Sequence, residues 1–220
     1  MVDLSLANQG LSSLMGSIPA AARVHLLAPD PALALTWRSA FEDARLGVVM
    51  ESTLCPDPGY DASPDPRCFV LHLSGSGHET LEWMERLQDE GQPLSAIVLM
   101  DSPQAATAVR AMKAGACDLL PVEIEPTILV GAVRRCLETD SSRRDKIRSR
   151  AEASRRLDTL SRRESEVLGH VLNGLSNRDM AEAMGVSVKT IEAHRANLMR
   201  KSGCRAVATL VKLAVQAGVA

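Results

Sequence analysis

The chain has 220 residues, of which 45% are hydrophobic and 24% are charged, as expected for a folded chain with room for one large or two ordinary domains. Its five cysteines are widely spaced and include no Cys-x-x-Cys pair, which argues against a disulfide framework or a zinc site and for a reducing cytoplasm. The net charge of −2 conceals a division, because residues 1–139 carry 9 basic against 18 acidic side chains whereas residues 151–220 carry 11 against 7. Basic charge is therefore concentrated towards the C-terminal end, where contacts with nucleic-acid phosphates would need it.

Residues 1–21 are rich in Ser, Ala and Gly and have neither a cationic start nor a long apolar core. We expect a flexible tail here and not a signal sequence. No segment of the sequence is long and apolar enough to cross a membrane, so we expect no membrane contact.

Apolar segments alternate with helical patterns between residues 22 and 138. Strand-like runs lie at 24–27, 47–50, 69–73, 96–100 and 117–120, and helical runs lie before Ala44 and at 81–87, 105–114 and 125–137. Residues 55–67 contain four prolines and a glycine, which predict an irregular loop. Strands that are apolar throughout and alternate with helices predict an α/β domain built on a doubly wound, parallel five-stranded sheet.

Residues 139–157 form a polar, basic segment without Pro or Gly. Two interpretations are open: an extension of the last helix of the first domain, or a solvated linker that attracts DNA weakly. Ile147 and Leu157 are too few apolar residues for a long coiled coil, and we predict a partly helical linker.

Residues 158–220 predict an all-α domain. Ser161 and Glu164 have the spacing of a capping box at the start of its first helix. A serine at the start and a glycine at the end then delimit three helices, between Ser161 and Gly174, between Ser176 and Gly185, and between Ser187 and Gly203. A fourth helix is predicted from Arg205 to Gln216. Two helices joined by a tight glycine-containing turn are typical of the helix-turn-helix motif.

The third of these helices has two distinct faces. On a helical wheel one arc, which we expect to face the core, carries Val188, Ile191, Leu198 and Met199. The opposite arc combines cations, small residues and an amide, namely Lys189, Glu192, Ala193, Ala196, Asn197 and Arg200. Such a face suits a helix in the major groove of DNA, although a solvent-exposed face is the alternative when the helix is considered alone.

Several short runs carry a resemblance to a known family: Leu160–Glu164, Gly174–Asn177, Thr190–Asn197 and the closing Lys201. Together they resemble the LuxR-type helix-turn-helix, closest to the FixJ branch of the NarL/FixJ response regulators, over residues 158–218. The resemblance implies a four-helix domain that binds double-stranded DNA as a homodimer, with its third helix in the major groove. It implies contacts with bases or nearby phosphates by Lys189, Glu192, Ala193 and Ala196, beside Asn197 on the same face, and contacts with the DNA backbone by Ser187, Thr190 and Arg200.

Arg195 is an exception within this helix, because the wheel places it on the inner arc. Two roles are open for its side chain. The first role is a contact between Arg195 and DNA, and the second is an ion pair between Arg195 and Glu164 or Glu166.

Residues 22–138 resemble the receiver domain of the same family, most closely at Ala111–Ala116 and Asp118. In a working receiver, an acidic pair binds Mg²⁺, an aspartate accepts a phosphoryl group, and a hydroxyl and a lysine complete the site. The corresponding positions here are Ala28 and Pro29 for the acidic pair, His72 for the acceptor, Met100 for the hydroxyl and Val122 for the lysine. Because Mg²⁺ requires oxygen ligands, we predict a degenerate receiver with no phosphoacceptor, no metal and no cofactor.

His72 admits three interpretations. The first is a phosphorylated histidine, although neither a metal nor a lysine would stabilise the transferred charge. The second is a metal or haem ligand together with His78, His25 or a cysteine, although the spacing of these residues selects no such site. The interpretation that we favour is a histidine at a strand end that is hydrogen-bonded to the neighbouring loop.

These features predict a cytoplasmic, two-domain transcription regulator that acts independently of aspartate phosphorylation. We expect the degenerate receiver to serve as a dimerisation surface or as a platform controlled by a protein partner or a ligand. The alternative is an interaction protein that pairs with an intact response regulator and modulates it. An enzyme is not expected, because the sequence offers no constellation of nucleophile, base or metal ligands.

Overall fold

The structure is a computed structural model that describes residues 22–28, 30–51, 53–54, 65–73, 78–92, 94–102 and 104–219. The predicted tail at 1–21, most of the proline-rich loop and residues 74–77 lie outside the described residues, as does Pro29. The chain divides between Arg144 and Asp145 into two compact units.

The first unit contains a parallel five-stranded sheet. Its strands are β1 (Arg23–Leu27), β2 (Gly47–Met50), β3 (Arg67–Leu73), β4 (Ala96–Met100) and β5 (Ala116–Pro121). Their order is β2-β1-β3-β4-β5, and every neighbouring pair is parallel. The predicted five-stranded sheet is therefore confirmed.

Helices cover both faces of this sheet: α1 (Pro31–Asp43), α2 (His78–Asp89), α3 (Ala105–Lys113) and α4 (Pro126–Asp158). On one face, Trp37 and Phe41 of α1 and Val133 of α4 pack with apolar strand residues. On the other face, Met84 of α2 and Ala111 of α3 pack with the alternate strand residues. Burial on both sides is the physical reason why the strands are apolar at almost every position.

Helix α4 is longer than the sequence patterns indicate. The prediction was a helix near 125–137 followed by a partly helical linker, whereas one helix runs from Pro126 to Asp158. No Pro or Gly interrupts residues 132–158, and ion pairs between side chains three or four positions apart line this part of the helix. Its last turns also have a core to pack against, because Ala153 and Leu157 are buried in the second unit.

The second unit adds α5 (Arg162–Leu172), α6 (Asn177–Met184), α7 (Val188–Ser202) and α8 (Val207–Ala217). Serine side chains cap α5, α6 and α7, and the caps of α5 and α6 are complete capping boxes. Gly185 and Gly203 end α6 and α7 in the left-handed conformation, with φ of 65° and 67°, which a glycine adopts without strain. The predicted all-α domain of four helices, with a helix-turn-helix formed by α6 and α7, is thereby confirmed.

Candidate nucleic-acid interface

One side of α7 is anchored in the core of the second unit. Ile191 and Leu198 are almost completely buried, and Met199 packs against the same cluster. Val188 does not follow the prediction, because it is 42% exposed and lies outside the core. It stands in the first turn of α7, and the helix is buried only from Ile191 onwards, so the apolar face predicted from the wheel begins one turn too early.

The other side of α7 is open to solvent. Exposed positions include the four residues predicted to contact bases or nearby phosphates, Lys189, Glu192, Ala193 and Ala196, together with Asn197 and Arg200 on the same face. The side chains of Lys189 and Glu192 have no hydrogen-bond or ion-pair partner within the described part of the chain. Arg200 shares a weak hydrogen bond with Asn197, with 3.4 Å between its Nη2 and Oδ1 of Asn197. This face therefore presents free polar groups and small side chains, as groove binding requires.

The two hydroxyl residues predicted to contact the DNA backbone are engaged with each other at the start of α7. The Ser187 Oγ accepts a hydrogen bond from the backbone N–H of Thr190 at 3.1 Å and lies 2.8 Å from the Thr190 Oγ1. Ser187 is exposed and Thr190 is half-buried. The N-terminus of α7 is thus fixed by its own cap, and backbone N–H groups at this end point outwards with the positive end of the helix dipole.

Arg195 contacts neither of the two glutamates proposed for it from the sequence. Its Nη1 donates a hydrogen bond to Oδ1 of Asn177 at 3.0 Å. Glu164 is already paired with Lys201, and Glu166 with Arg162 and Arg163. Because Asn177 is the first residue of α6, the Arg195 side chain joins the two helices of the helix-turn-helix. Of the two roles left open by the sequence, the ion pair with Glu164 or Glu166 is therefore wrong.

Two cations that the sequence analysis did not single out as anchors hold the C-terminal end of α7. Lys201 places its Nζ 2.7 Å from the carboxylate of Glu164, which is 4% exposed. Arg156 at the end of α4 donates hydrogen bonds to the carbonyl oxygen of Ser202, at 2.8 Å from its Nε and also from its Nη2. Cations favour the negative end of a helix, so both contacts stabilise α7. The capping-box spacing around Glu164 was visible in the sequence, but the positions of these two cations depend on tertiary packing.

The carboxylate of Glu164 is strongly stabilised in its charged form. The hydrogen bond from Lys201, followed by that from the backbone N–H of Ser161 at 2.7 Å, lowers the pKa of Glu164 to about 2. The carboxylate is therefore charged at neutral pH, and the ion pair that fixes α7 to α5 is intact.

In the first unit, His72 lies near the end of β3 and is 8% exposed. Its Nε2 is 2.7 Å from Oδ1 of Asp101, in the loop after β4, as the hydrogen-bonded interpretation predicts. Trp37 contacts the imidazole edge-on, with ring centroids 6.1 Å apart. Met100 and Val122 are buried close to the ends of β4 and β5. This edge of the sheet therefore holds a buried imidazole and apolar side chains.

The remaining candidates for ion binding are occupied elsewhere or lie apart. Asp30 is the acidic residue that directly follows Ala28 and Pro29, the positions of the missing acidic pair. Its carboxylate accepts a hydrogen bond from the backbone N–H of Ala32 and caps α1. His25 bonds to Glu51 and stacks on Phe69, whereas His78 pairs with Glu82 on an exposed turn of α2. Among the described residues, no three His, Cys, Asp or Glu side chains are arranged to bind a metal ion. None of the described helices has the length and hydropathy that a membrane span requires.

The sequence of this chain is similar to those of known regulatory proteins. Residues 158–214 match the family of bacterial regulatory proteins of the luxR type. Over 203 residues the chain is 30% identical to the transcriptional regulatory protein FixJ of Azorhizobium caulinodans, and the match covers 92% of this chain and 96% of that protein. The chain belongs to the FixJ-like response regulators. FixJ of Rhizobium meliloti is 33% identical over 158 residues, which cover 71% of this chain and 78% of that protein.

The likeness of this FixJ-like regulator extends to a solved structure. The response regulator StyR superposes with a TM-score of 0.74 at 26% identity, over 89% of this chain and 98% of that chain. As a FixJ-like response regulator, the chain is a DNA-binding transcription regulator and not an enzyme, which confirms both predictions.

Proposed function

We propose that this FixJ-like regulator binds its operator without phosphorylation of an aspartate in its first unit. The observation that carries the proposal is the buried His72, hydrogen-bonded to Asp101 at the position where the resemblance to receivers puts the phosphoacceptor. A phosphoryl group bound there would bring negative charge against buried apolar side chains and the carboxylate of Asp101, and among the described residues no lysine or arginine pairs with either His72 or Asp101.

The second unit supplies the DNA-binding surface in this proposal. We assign base or nearby phosphate contacts to Lys189, Glu192, Ala193 and Ala196, because all four are exposed on one face of α7. We assign contacts with the DNA backbone to Arg200, to Asn197 beside it, and to the start of α7 at Ser187 and Thr190. The anchoring of α7 by its cap, by Arg195 and by Lys201 supports this assignment, since a recognition helix must be held in a fixed orientation.

We further propose that the protein binds DNA as a homodimer through α8. Val207, Val211 and Val215 lie at intervals of four positions on this helix and are 41%, 37% and 60% exposed. The adjoining side of α8 is buried, with Leu210, Leu213 and Ala214 in the core. A stripe of valines on one helix is complementary to itself across a two-fold axis, which is the symmetry of a dimer on a palindromic operator.

The first unit then acts as a platform for control by other means. Two apolar side chains of α3, Val109 and Met112, are 54% and 51% exposed. They support the idea that a protein partner docks on this unit, and the same observation supports the alternative of an interaction protein that modulates an intact regulator. In either role we place the protein in the cytoplasm, where its DNA or its partner regulator would lie.

The test is footprinting of the purified full chain on genomic fragments at one fixed physiological salt concentration, with and without acetyl phosphate and Mg²⁺. A regulator with the complete acidic set serves as the control for the phosphoryl donor. The proposal predicts two-fold-related footprints of equal affinity in both conditions. Specific binding that appears only with the donor would overturn it, and no specific binding, together with capture of an intact regulator, would favour the alternative.

A further inference from the structure

Two thiols from distant parts of the first unit meet between β5 and α4. The Sγ atoms of Cys117 and Cys136 are 3.2 Å apart, although the residues are 19 positions apart in sequence. Cys117 is exposed, whereas Cys136 is 1% exposed, and both are free thiols. Cys117 is therefore accessible to a reagent from solvent, and the Cys136 thiol is buried in contact with it.

We propose that Cys117 and Cys136 form a redox-responsive dithiol, which a peroxide converts into an intramolecular disulfide. The inference does not rest on the proposed function, because its chemistry lies in the first unit and involves no DNA. A disulfide requires the sulfur atoms to approach to about 2.05 Å, so the observed pair needs a movement of only about 1 Å. Such a movement is within the range of side-chain rotation on a helix and a strand.

The reaction proceeds in two balanced steps. The Cys117 sulfur, after losing its proton, attacks one oxygen of hydrogen peroxide, the O–O bond breaks, and hydroxide leaves and takes up a proton to form water. The resulting sulfenic acid is attacked by the Cys136 sulfur, which also loses its proton, and the S–O bond breaks with release of a second water. Two thiols are oxidised to one disulfide while one peroxide is reduced to two waters.

The surroundings of the pair set the speed of this reaction. The hydrogen bond with Cys136, and then burial, raise the pKa of the Cys117 thiol, so that it is protonated at neutral pH. The groups that face the pair are Arg143 on the side of Cys117, and Asp140 and Cys68 on the side of Cys136. Because the thiolate is the reacting species, disulfide formation is expected to be slow at pH 7 and faster at pH 8.5.

Cys68 is the competing thiol. It is completely buried in β3, and its Sγ lies 3.7 Å from the carbonyl oxygen of Phe69. Since Cys117 is exposed and Cys68 is not, the peroxide reaches Cys117 first, and Cys136 is the resolving thiol.

The experiment treats the reduced full chain with hydrogen peroxide at pH 7 and pH 8.5, followed by acid quenching, alkylation in denaturant and tryptic mass spectrometry without reductant. Trypsin separates all five cysteines, because Cys117 falls in peptide 114–134 and Cys136 in peptide 136–143. The expected product is a linked pair of these two peptides, formed faster at pH 8.5 and reversed by dithiothreitol. Cys204, buried in the second unit, stays alkylated and serves as the internal control.

Two variants sharpen the test. Cys117→Ser alters an exposed side chain and should abolish the linked peptides, whereas Cys204→Ser should leave them unchanged. A Cys68–Cys136 link, links between different molecules only, or oxidation of Cys117 to sulfinic acid without any link would each overturn the assignment. All of these products are read from peptide masses, so the result does not depend on whether the protein binds DNA.

Discussion

The ammonium group of Lys201 lies 2.7 Å from the carboxylate of Glu164, so that the last turn of α7 is tied to the first turn of α5. Glu164 also accepts a hydrogen bond from the backbone N–H of Ser161, and it therefore serves the cap of α5 and the position of α7 at once. A single carboxylate thus couples the stability of one helix to the orientation of the helix that we assign to DNA.

This coupling predicts a specific sensitivity to acid. The pKa of Glu164 in the folded protein is about 2, below the value of about 4.3 in an unfolded chain. A lowered pKa in the folded state means that the stabilisation is fully present above about pH 4.3 and is lost as pH falls towards 2. Replacement by Gln in Glu164→Gln should lower the melting temperature at pH 7, and the difference from the wild type should shrink steadily between pH 4.3 and 2.

Calorimetric unfolding of both full-length proteins from pH 7 to pH 2 measures this difference. Glu182→Gln is the matched control, because Glu182 is an exposed glutamate on α6 whose carboxylate has no partner in the described part of the chain. The control should melt like the wild type at every pH. A difference for Glu164→Gln that is the same at pH 7 and pH 2 would contradict the assigned role of this carboxylate.

The contact between Arg156 and the end of α7 predicts unequal effects at two similar glycines. Gly203 and Gly185 have φ of 67° and 65°, so alanine at either position is strained by roughly 1–2 kcal/mol. A Cβ at position 203 would also lie 3.0 Å from Nη2 of Arg156, whereas a Cβ at position 185 would meet nothing within 4 Å. Gly203→Ala should therefore destabilise the protein by about 1 kcal/mol more than Gly185→Ala, because it disturbs a hydrogen-bonded guanidinium.

A double-mutant cycle checks the cause. In an Arg156→Ala background the two glycine substitutions should have equal effects on the free energy of unfolding, measured by chemical denaturation. An unequal effect that persists without Arg156 would show that something other than this side chain distinguishes the two turns.

Two aspartates on α4 should differ sharply in their contribution to stability. Asp140 is completely buried and accepts hydrogen bonds from the backbone N–H of Arg67, from Ser95, and from Arg143 and Arg144. Burial works to raise its pKa, but the hydrogen bonds, first that of Arg144, outweigh it and lower the pKa. Asp140→Ala should lower the free energy of unfolding by about 3–5 kcal/mol, because it removes the carboxylate beside the buried guanidinium of Arg144.

Asp145 provides the control on the same helix, because it pairs with Arg148 at 2.6 Å while both side chains are exposed. Asp145→Ala should cost no more than about 1 kcal/mol. Denaturation followed by far-UV circular dichroism measures both losses, because it reports on the helices of both units, and Asp140 lies in the first unit and Asp145 in the second. If both variants lost the same free energy of unfolding, the hydrogen bonds to Asp140 would add no more stability than the exposed Asp145–Arg148 pair.

The sequence patterns predicted those parts of the structure that depend on local rules. Each strand was visible as an apolar run, and the serine caps and terminal glycines of α5, α6 and α7 marked the helix ends to within about one or two residues. The length of α4 was not predictable in the same way, because its second half is polar and its continuation depends on Ala153 and Leu157 finding a core. The partner of Arg195 was missed for a similar reason, since Asn177 lies 18 positions away and only the crossing of α6 and α7 brings them together.

The exposed face of α7 leads to the last prediction, which separates phosphate contacts from base contacts. Lys189→Ala should weaken binding to all DNA sequences similarly and reduce the slope of log affinity against log salt by about 1, because one phosphate contact is lost. Glu192→Ala should reduce the binding free energy by ~1–3 kcal/mol only for operators that carry the base pair it contacts, and it should leave the salt slope nearly unchanged.

Binding titrations on the operator and on single-base variants, at several salt concentrations, measure both effects. Lys113→Ala is the control for charge alone, since Lys113 is an exposed lysine on α3 in the first unit. It should change affinity and salt slope much less than Lys189→Ala, because it lies outside the proposed groove-binding face. If Lys189→Ala and Glu192→Ala weakened all sequences equally, with the same salt dependence, the assignment of base and phosphate contacts on α7 would be wrong.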